Sequence, residues 1–306
     1  MTRAAASAAL TMSLTAGLVS THATAAPAAP LGSAASAASA ASAASLPVAE
    51  WRDFSGLPDG AGDLVVINED GSLSFFWGSG TGSLRAHPSY WGSGFTHVVP
   101  FGDLTGDGCN DLLTRRANGD LYKEEVHCDP GRGGQLDMST RLGTGWHQFN
   151  VLTSPGDLTG DGHADLVARQ AATGDMYLYA NDGAGKLKAR GRIGTNWKLY
   201  RAVFGAGDIN GDGVGDVLAV DRANSLWRYD GTAAGTLKPR ALVFGGNWAM
   251  GRNAFVGVGD ITNDGVPDLI SRNAAGHLLR NAGKGAGSFR STVKIAIGWQ
   301  RFKALY

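Results

Sequence analysis

The stretch that decides the fold runs from Gly102 to Arg115 and reads GDLTGDGCNDLLTR. Asp103, Asp107 and Asp111 fall four residues apart, separated by glycines, and an apolar run follows at once. On its own the stretch is an acid cluster, a metal loop or a polar turn. The pattern returns as GDLTGDGHADLVAR (156–169), GDINGDGVGDVLAV (207–220) and GDITNDGVPDLISR (259–272). The leading aspartates Asp103, Asp157, Asp208 and Asp260 are separated by 54, 51 and 52 residues. Upstream, DFSGLPDGAGDLVV (53–66) is the same motif with Leu57 and Pro58 inserted, and Asp53 lies 50 residues before Asp103. Five repeats of about fifty residues have the period of β-propeller blades.

The rest of each repeat agrees with that period. An apolar strand follows each loop (DLLTR, DLVAR, DVLAV, DLISR, DLVVI), then a turn and a second strand such as GDLYKEEV or GDMYLYA. A glycine-rich turn leads to a third strand, which ends in a Gly-aromatic turn whose aromatic is Phe95, Trp146, Trp197, Trp248 or Trp299. A fourth strand leads to the next loop. Four short strands per repeat make one blade, and no apolar run keeps a 3.6-residue period over three turns. The expected fold is therefore all-β, a β-propeller of five four-stranded blades. The tail GWQRFKALY matches GWHQFNVLT (145–153) and then stops. The C-terminal strand is thus expected to complete the first blade and close the ring, which leaves no free edge.

The remaining features bound function. In 306 residues, Lys+Arg and Asp+Glu are 27 each and the net charge is zero, so no field favours nucleic acid or an anionic membrane. Residues 1–25 read as a secretory signal: Arg3, a modest apolar run, and the small-residue site Ala23–Ala25. No stretch is apolar and long enough to span a membrane. The Ala/Ser/Pro-rich residues 26–50 read as a flexible linker, because they carry almost no large apolar side chain to offset the entropy of ordering. The propeller then occupies residues 51–306, outside the cell and as a monomer.

The loops read as calcium sites. Oxygen donors sit at positions one, three, five and nine: Asp103, Thr105, Asp107, Asp111; Asp157, Thr159, Asp161, Asp165; Asp208, Asn210, Asp212, Asp216; Asp260, Thr262, Asp264, Asp268. Position seven (Cys109, His163, Val214, Val266) can add a backbone carbonyl. Glycine at position six permits a sharp bend. Alternating oxygens around such a bend suit Ca²⁺, a hard cation taking six to eight oxygens, better than octahedral Mg²⁺. That gives four calcium sites, with a weaker fifth at Asp53, Asp59 and Asp63. An EF-hand is rejected for want of a glutamate at position twelve, and the nonapeptide calcium repeat because the period is wrong. Repetition also argues against catalysis by these aspartates, because acid–base pairs need two different environments. The alternative, an Asx-rich turn without metal, stays open.

The pattern D-x-[TN]-x-D-G-x-x-D-[LV] resembles the FG-GAP/VCBS repeats of integrin α-subunit propellers and of secreted bacterial proteins. The elements FGD (101–103) and FGAGD (204–208) add to the likeness. The resemblance spans residues 51–306 and implies calcium on the aspartates at positions one, five and nine. The sequence departs from the family at position three (Thr), at Asn263, which stands in place of a loop glycine, and in the first-loop insertion. Five blades stand closer, in architecture, to small ring lectins than to the seven-bladed integrin propeller.

In that layout Cys109 lies in the loop between strands one and two, and Cys128 in the turn between strands three and four, at the same end of a blade. An exported chain with two cysteines is expected to bridge them. Phe95, Trp146, Trp197, Trp248 and Trp299 read either as packing between blades or as a ring of platforms for sugar. The turns after Arg115, Arg169 and Arg272 emerge at the same face, where an arginine would ordinarily be solvated. No H-E-x-x-H, G-x-S-x-G or phosphate-binding loop is present. The sequence therefore points to a non-enzymatic module binding an extracellular glycan. A protein partner, such as a secreted protease or surface protein, is the alternative, and a polysaccharide hydrolase is the third reading.

Overall fold

The computed structural model describes residues 51–56 and 59–306, with backbone alone at 88–91. The signal and linker expectations (1–50) and the Leu57–Pro58 insertion lie outside the described residues.

The strands run in chain order, and every sheet is antiparallel. Blade one holds β1 (Leu64–Asn68), β2 (Leu73–Gly78) and β3 (Leu84–Trp91). Blade two is β4 (Phe95–Gly102), β5 (Asp111–Arg116), β6 (Leu121–Val126) and β7 (Leu136–Gly143). Blade three is β8 (Phe149–Gly156), β9 (Asp165–Gln170), β10 (Met176–Tyr179) and β11 (Gly191–Gly194). Blade four is β12 (Tyr200–Gly207), β13 (Asp216–Asp221), β14 (Leu226–Tyr229) and β17 (Ala241–Phe244), with a two-residue hairpin, β15 (Gly231–Thr232) and β16 (Thr236–Leu237), on its β14–β17 turn. Blade five is β18 (Arg252–Gly259), β19 (Asp268–Asn273), β20 (Leu278–Asn281) and β21 (Val293–Ala296). The last strand, β22 (Phe302–Leu305), is the first strand of blade one, in the order β22-β1-β2-β3. The fold is the expected five-bladed propeller, and the C-terminal strand closes it.

The closure is a full ladder. Val66 pairs with Leu305 and Ile67 with Ala304, and Val65 and Tyr306 exchange both backbone hydrogen bonds at 3.0 and 2.8 Å. In blades two to five the strand that precedes the aspartate loop is the innermost of its blade, and in blade one β22 takes that place. The strand that follows the loop lies between two neighbouring blades and is apolar on both faces, which is why DLVAR is buried throughout. The core is accordingly divided among the blade boundaries. One cluster, for example, joins Val99, Phe101, Leu104, Leu113 and Leu121 of blade two to Trp146, Phe149, Leu152 and Leu166 at blade three. Another joins Val256, Val258, Ile261 and Ile270 of blade five to Leu64, Val66, Trp299, Phe302 and Leu305 of blade one.

Around the axis the inner strands meet backbone to backbone. A Cβ on Gly205 would lie 1.8 Å from the Ser154 carbonyl oxygen, and one on Gly257 2.3 Å from the carbonyl oxygen of Gly205. Only glycine fits these places. Gly257→Ala should therefore lower stability by about 1–3 kcal/mol, the usual cost of overpacking, measurable by urea denaturation. Deletion of residues 299–306 should abolish the cooperative transition altogether, because it removes the inner strand of blade one and leaves β1 an open edge on the axis. A truncated protein melting at the wild-type temperature would refute the closure.

Candidate functional site: aspartate loops, arginine buckles and the open basin

Each aspartate loop is wired through its own backbone. The position-one carboxylate accepts from the N–H groups of positions four and six: Gly106 and Gly108 to Asp103 at 2.6 and 2.8 Å, and likewise Gly160 and Gly162 to Asp157, and Gly211 and Gly213 to Asp208. The position-five carboxylate accepts from position seven, as Asp107 does from Cys109 at 2.8 Å. The position-nine carboxylate accepts from the position-two N–H: Leu104 to Asp111, Leu158 to Asp165, Ile209 to Asp216 and Ile261 to Asp268. Its second oxygen accepts from the end of the blade's third strand: Asn181 to Asp165 at 3.1 Å, Gly231 to Asp216 at 2.9 Å and Gly283 to Asp268 at 2.8 Å. The first loop follows the same plan, with Asp59 and Gly60 donating to Asp53, and Phe54 and Gly78 to Asp63. Asn263 takes φ 59°, the left-handed conformation that asparagine tolerates and that Gly106 and Gly211 adopt at the same position.

In blades two to five the position-nine aspartate is buried, while the position-five aspartate stays exposed. Burial, with the neighbouring Asp107 and Asp103 carboxylates, pushes Asp111 up to about 7, and Asp216 rises to about 7 for the same kinds of reason. Burial raises Asp165 and Asp268 to about 6. Asp111 Oδ1 is buried with no hydrogen-bond partner, unlike its counterparts in the other loops. Among the described residues, no three His, Cys, Asp or Glu side chains already converge as a metal cage. The donor chemistry nevertheless suits a hard divalent cation: oxygen only, three carboxylates to a loop, and one buried carboxylate oxygen, Asp111 Oδ1, left without a donor. Lysines lie against two position-five carboxylates, Lys188 at 3.4 Å from Asp161 and Lys238 at 3.0 Å from Asp212. Cys109 and Cys128 form a disulfide, with Cα atoms 5.5 Å apart, between the loop of blade two and its β6–β7 turn.

The opposite end of each blade is built by aromatic turns. Gly94, Gly145, Asn196, Asn247 and Gly298 all have positive φ, so asparagine serves where glycine does elsewhere. Phe95, Trp146, Trp197 and Trp299 are buried and Trp248 is half-buried. Neighbouring rings cover them: Tyr229 lies 4.4 Å from Trp197, Tyr179 4.8 Å from Trp146, Phe76 4.7 Å from Trp299, and Phe244 stacks on Trp248 at 5.0 Å. Of the two readings of this ring, packing between blades describes where these side chains sit.

The arginines are not solvated. Arg169 is buried, and its Nη1 donates to the carbonyls of Trp197 and Tyr200 at 3.0 and 2.8 Å, while its Nε donates to Asn150. Arg272 does the same to Trp299 and Phe302, and Arg115 to Trp146 and Phe149. Each arginine thus buckles its blade to the entry turn of the next. The sequence reading missed this, and it missed Arg201. Blade four has Val220 where blades two, three and five have arginine and blade one has Ile67, and Arg201, at the place of Asn150, reaches the Ala249 and Arg252 carbonyls at 2.8 and 3.3 Å. The missing arginine at position 220 was the available signal.

Beside the Trp197 turn lies an open basin of about 550 Å³, lined by Lys198, Leu199, Asp221, Arg222, Ala223 and Arg240. The Arg240 guanidinium lies 4.0 Å over the Trp227 ring, whose Nε1 donates to Asp221 at 2.7 Å.

The FG-GAP-like repeat family matches the chain over residues 53–114, 157–219 and 208–271, together more than half of its length. The chain belongs to the FG-GAP-like repeat family. No protein of curated function matches it in sequence. Among solved structures, this FG-GAP-like propeller is similar to an Agrocybe aegerita lectin described as recognising non-reducing terminal N-acetylglucosamine, at 17% identity over 78% of this chain and 67% of that one, with a TM-score of 0.44. It is also similar to the BP39L lectin of Burkholderia pseudomallei, at 16% identity over 78% of this chain and 71% of that one, with a TM-score of 0.46. No helix among the described residues is long and apolar enough to cross a membrane.

The buckles of the FG-GAP-like propeller make a direct prediction. Arg169→Met leaves two carbonyls without their donor and should cost about 3 kcal/mol, at ~1–3 kcal/mol per unsatisfied buried group. Arg201→Met should cost a similar amount although Arg201 stands outside the repeat motif. Chemical denaturation of both variants checks this, and an Arg201→Met protein as stable as wild type would contradict its role.

Proposed function

We propose that this propeller is a secreted, calcium-stabilised, non-enzymatic module that binds an extracellular glycan. The observation that carries the ligand reading is the basin beside Trp197. Its lining carries a guanidinium 4.0 Å over the Trp227 indole and a carboxylate bonded by that indole's N–H, a donor and an acceptor in one open site. Sugar hydroxyls both donate and accept, and such rigid polar pairs satisfy them without reorganisation. Lys198, Arg222 and Arg240 against the single Asp221 favour a glycan bearing carboxylates. The disulfide supports an oxidising compartment.

Calcium would be held by the aspartates at positions one, five and nine with the position-three oxygen and position-seven carbonyl, and in the first loop by Asp53, Asp59 and Asp63. Bound there, the ion supplies positive charge against three carboxylates and so stabilises the loop. The loops lie at the ends of the inner strands, so the ion's part is in the scaffold.

Two measurements test these readings. EGTA should lower the melting temperature and added calcium restore it, with ~1.4 kcal/mol per site at tenfold excess over Kd; an unmoved transition would remove calcium from the account. Binding to a uronate-containing polysaccharide should exceed binding to its neutral counterpart, and Arg222→Ala/Arg240→Ala should weaken it at least tenfold. Wild-type binding to neither polysaccharide, with capture of a defined secreted protein instead, would favour the protein-binding alternative.

A further inference from the structure

The inner strands enclose a second cavity, on the propeller axis, of about 240 Å³. That is roughly eight water volumes, room for a small organic acid or a phosphate. Its polar lining includes Asn150, Thr153, Arg169, Arg201 and Arg52, and no Asp or Glu side chain lines it. Arg169 and Arg201 are engaged with blade carbonyls. Arg52 is not engaged in that way: its side chain is buried, 4% exposed, and its Nε and Nη2 have no hydrogen-bond partner.

The neighbouring residue closes one end. A Cβ on Gly102 would sit 3.5 Å from Trp51 Cβ, and one on Gly207 3.5 Å from Trp51 Nε1. These glycines end the inner strands of blades two and four, which are not adjacent, so Trp51 lies across the axis at the aspartate-loop end. Trp51 Nε1 is also buried and without a partner. Three buried donors therefore stand unsatisfied at the closed end of a channel. Asp63, whose charge acts on Arg52, accepts from the Phe54 and Gly78 N–H groups. A guanidinium keeps its charge at neutral pH, whereas burial lowers His97 on the channel wall to about 4 and keeps it neutral. A buried guanidinium with two N–H-bearing nitrogens unsatisfied is costly to leave, and an oxyanion presents the two parallel acceptors that its fork matches.

We propose that the axial channel binds a small oxyanion, a carboxylate or a phosphate, on the Arg52 guanidinium beneath Trp51. The site is separate from the glycan basin and does not depend on it.

The test uses the full protein in buffers of matched ionic strength containing chloride, acetate or phosphate. Acetate, phosphate or both should raise the melting temperature by several degrees over chloride, and Arg52→Met should lose that rise. The anion that acts identifies the source. No rise with either, or an equal rise in Arg52→Met, would overturn the proposal. If Arg52→Met does not fold, wild-type crystals soaked in selenate decide: an anomalous peak within hydrogen-bond distance of Arg52 supports the site, and an axis without one refutes it.

Discussion

The position-nine aspartate is the contact on which each blade depends. One of its oxygens gathers the start of the loop, and in blades one, three, four and five the other ties that loop to the end of the third strand. A single buried carboxylate thus fixes the first connection of a blade and its register against the third strand. It does so at an electrostatic cost, because burial raises its pKa and two further carboxylates share the loop. A hydrogen-bonded charge in that position is cheaper than an unpaired one but dearer than an apolar residue. A loop that keeps three carboxylates after its N–H groups are satisfied has more negative charge than folding alone requires. That excess is the physical basis of the calcium reading.

Between blades the constraints differ. Apolar clusters fill each boundary, and arginine buckles lock the entry turn of one blade onto its predecessor. The pair at blade four shows what is selected. The donor arises from β12 instead of β13, yet it satisfies carbonyls at the corresponding turn. The requirement is that two turn carbonyls be met, and the position that supplies the donor is free to move.

Much of the fold was legible because its determinants are local and repeated. The loop motif, the fifty-residue period and the orphan C-terminal strand each predict their structural counterpart, and Cys109 and Cys128 could be paired from blade topology alone. Less of the candidate site could be read. An arginine at a strand end looks the same in sequence whether it faces solvent or reaches a carbonyl of the next blade, since the partner lies some thirty residues on. Trp146 and its equivalents carry the same side chain whether they stack on sugar or on Tyr179, and only their burial separates the two. Arg52 and Trp51 precede the first loop in a stretch with no repeat signature, so nothing in the sequence placed them on the axis.

The pairing of β1 with β22 also orders the folding of the chain. Blade one holds the first strands among the described residues, but it lacks its innermost strand until β22 has emerged. Contacts between ends so distant in sequence form late, because the whole intervening loop must be closed to make them. Blades two to five can assemble from contiguous segments, while the N-terminal blade stays an incomplete three-stranded sheet. The ring therefore closes only once β22 has joined β1, after blades two to five are in place.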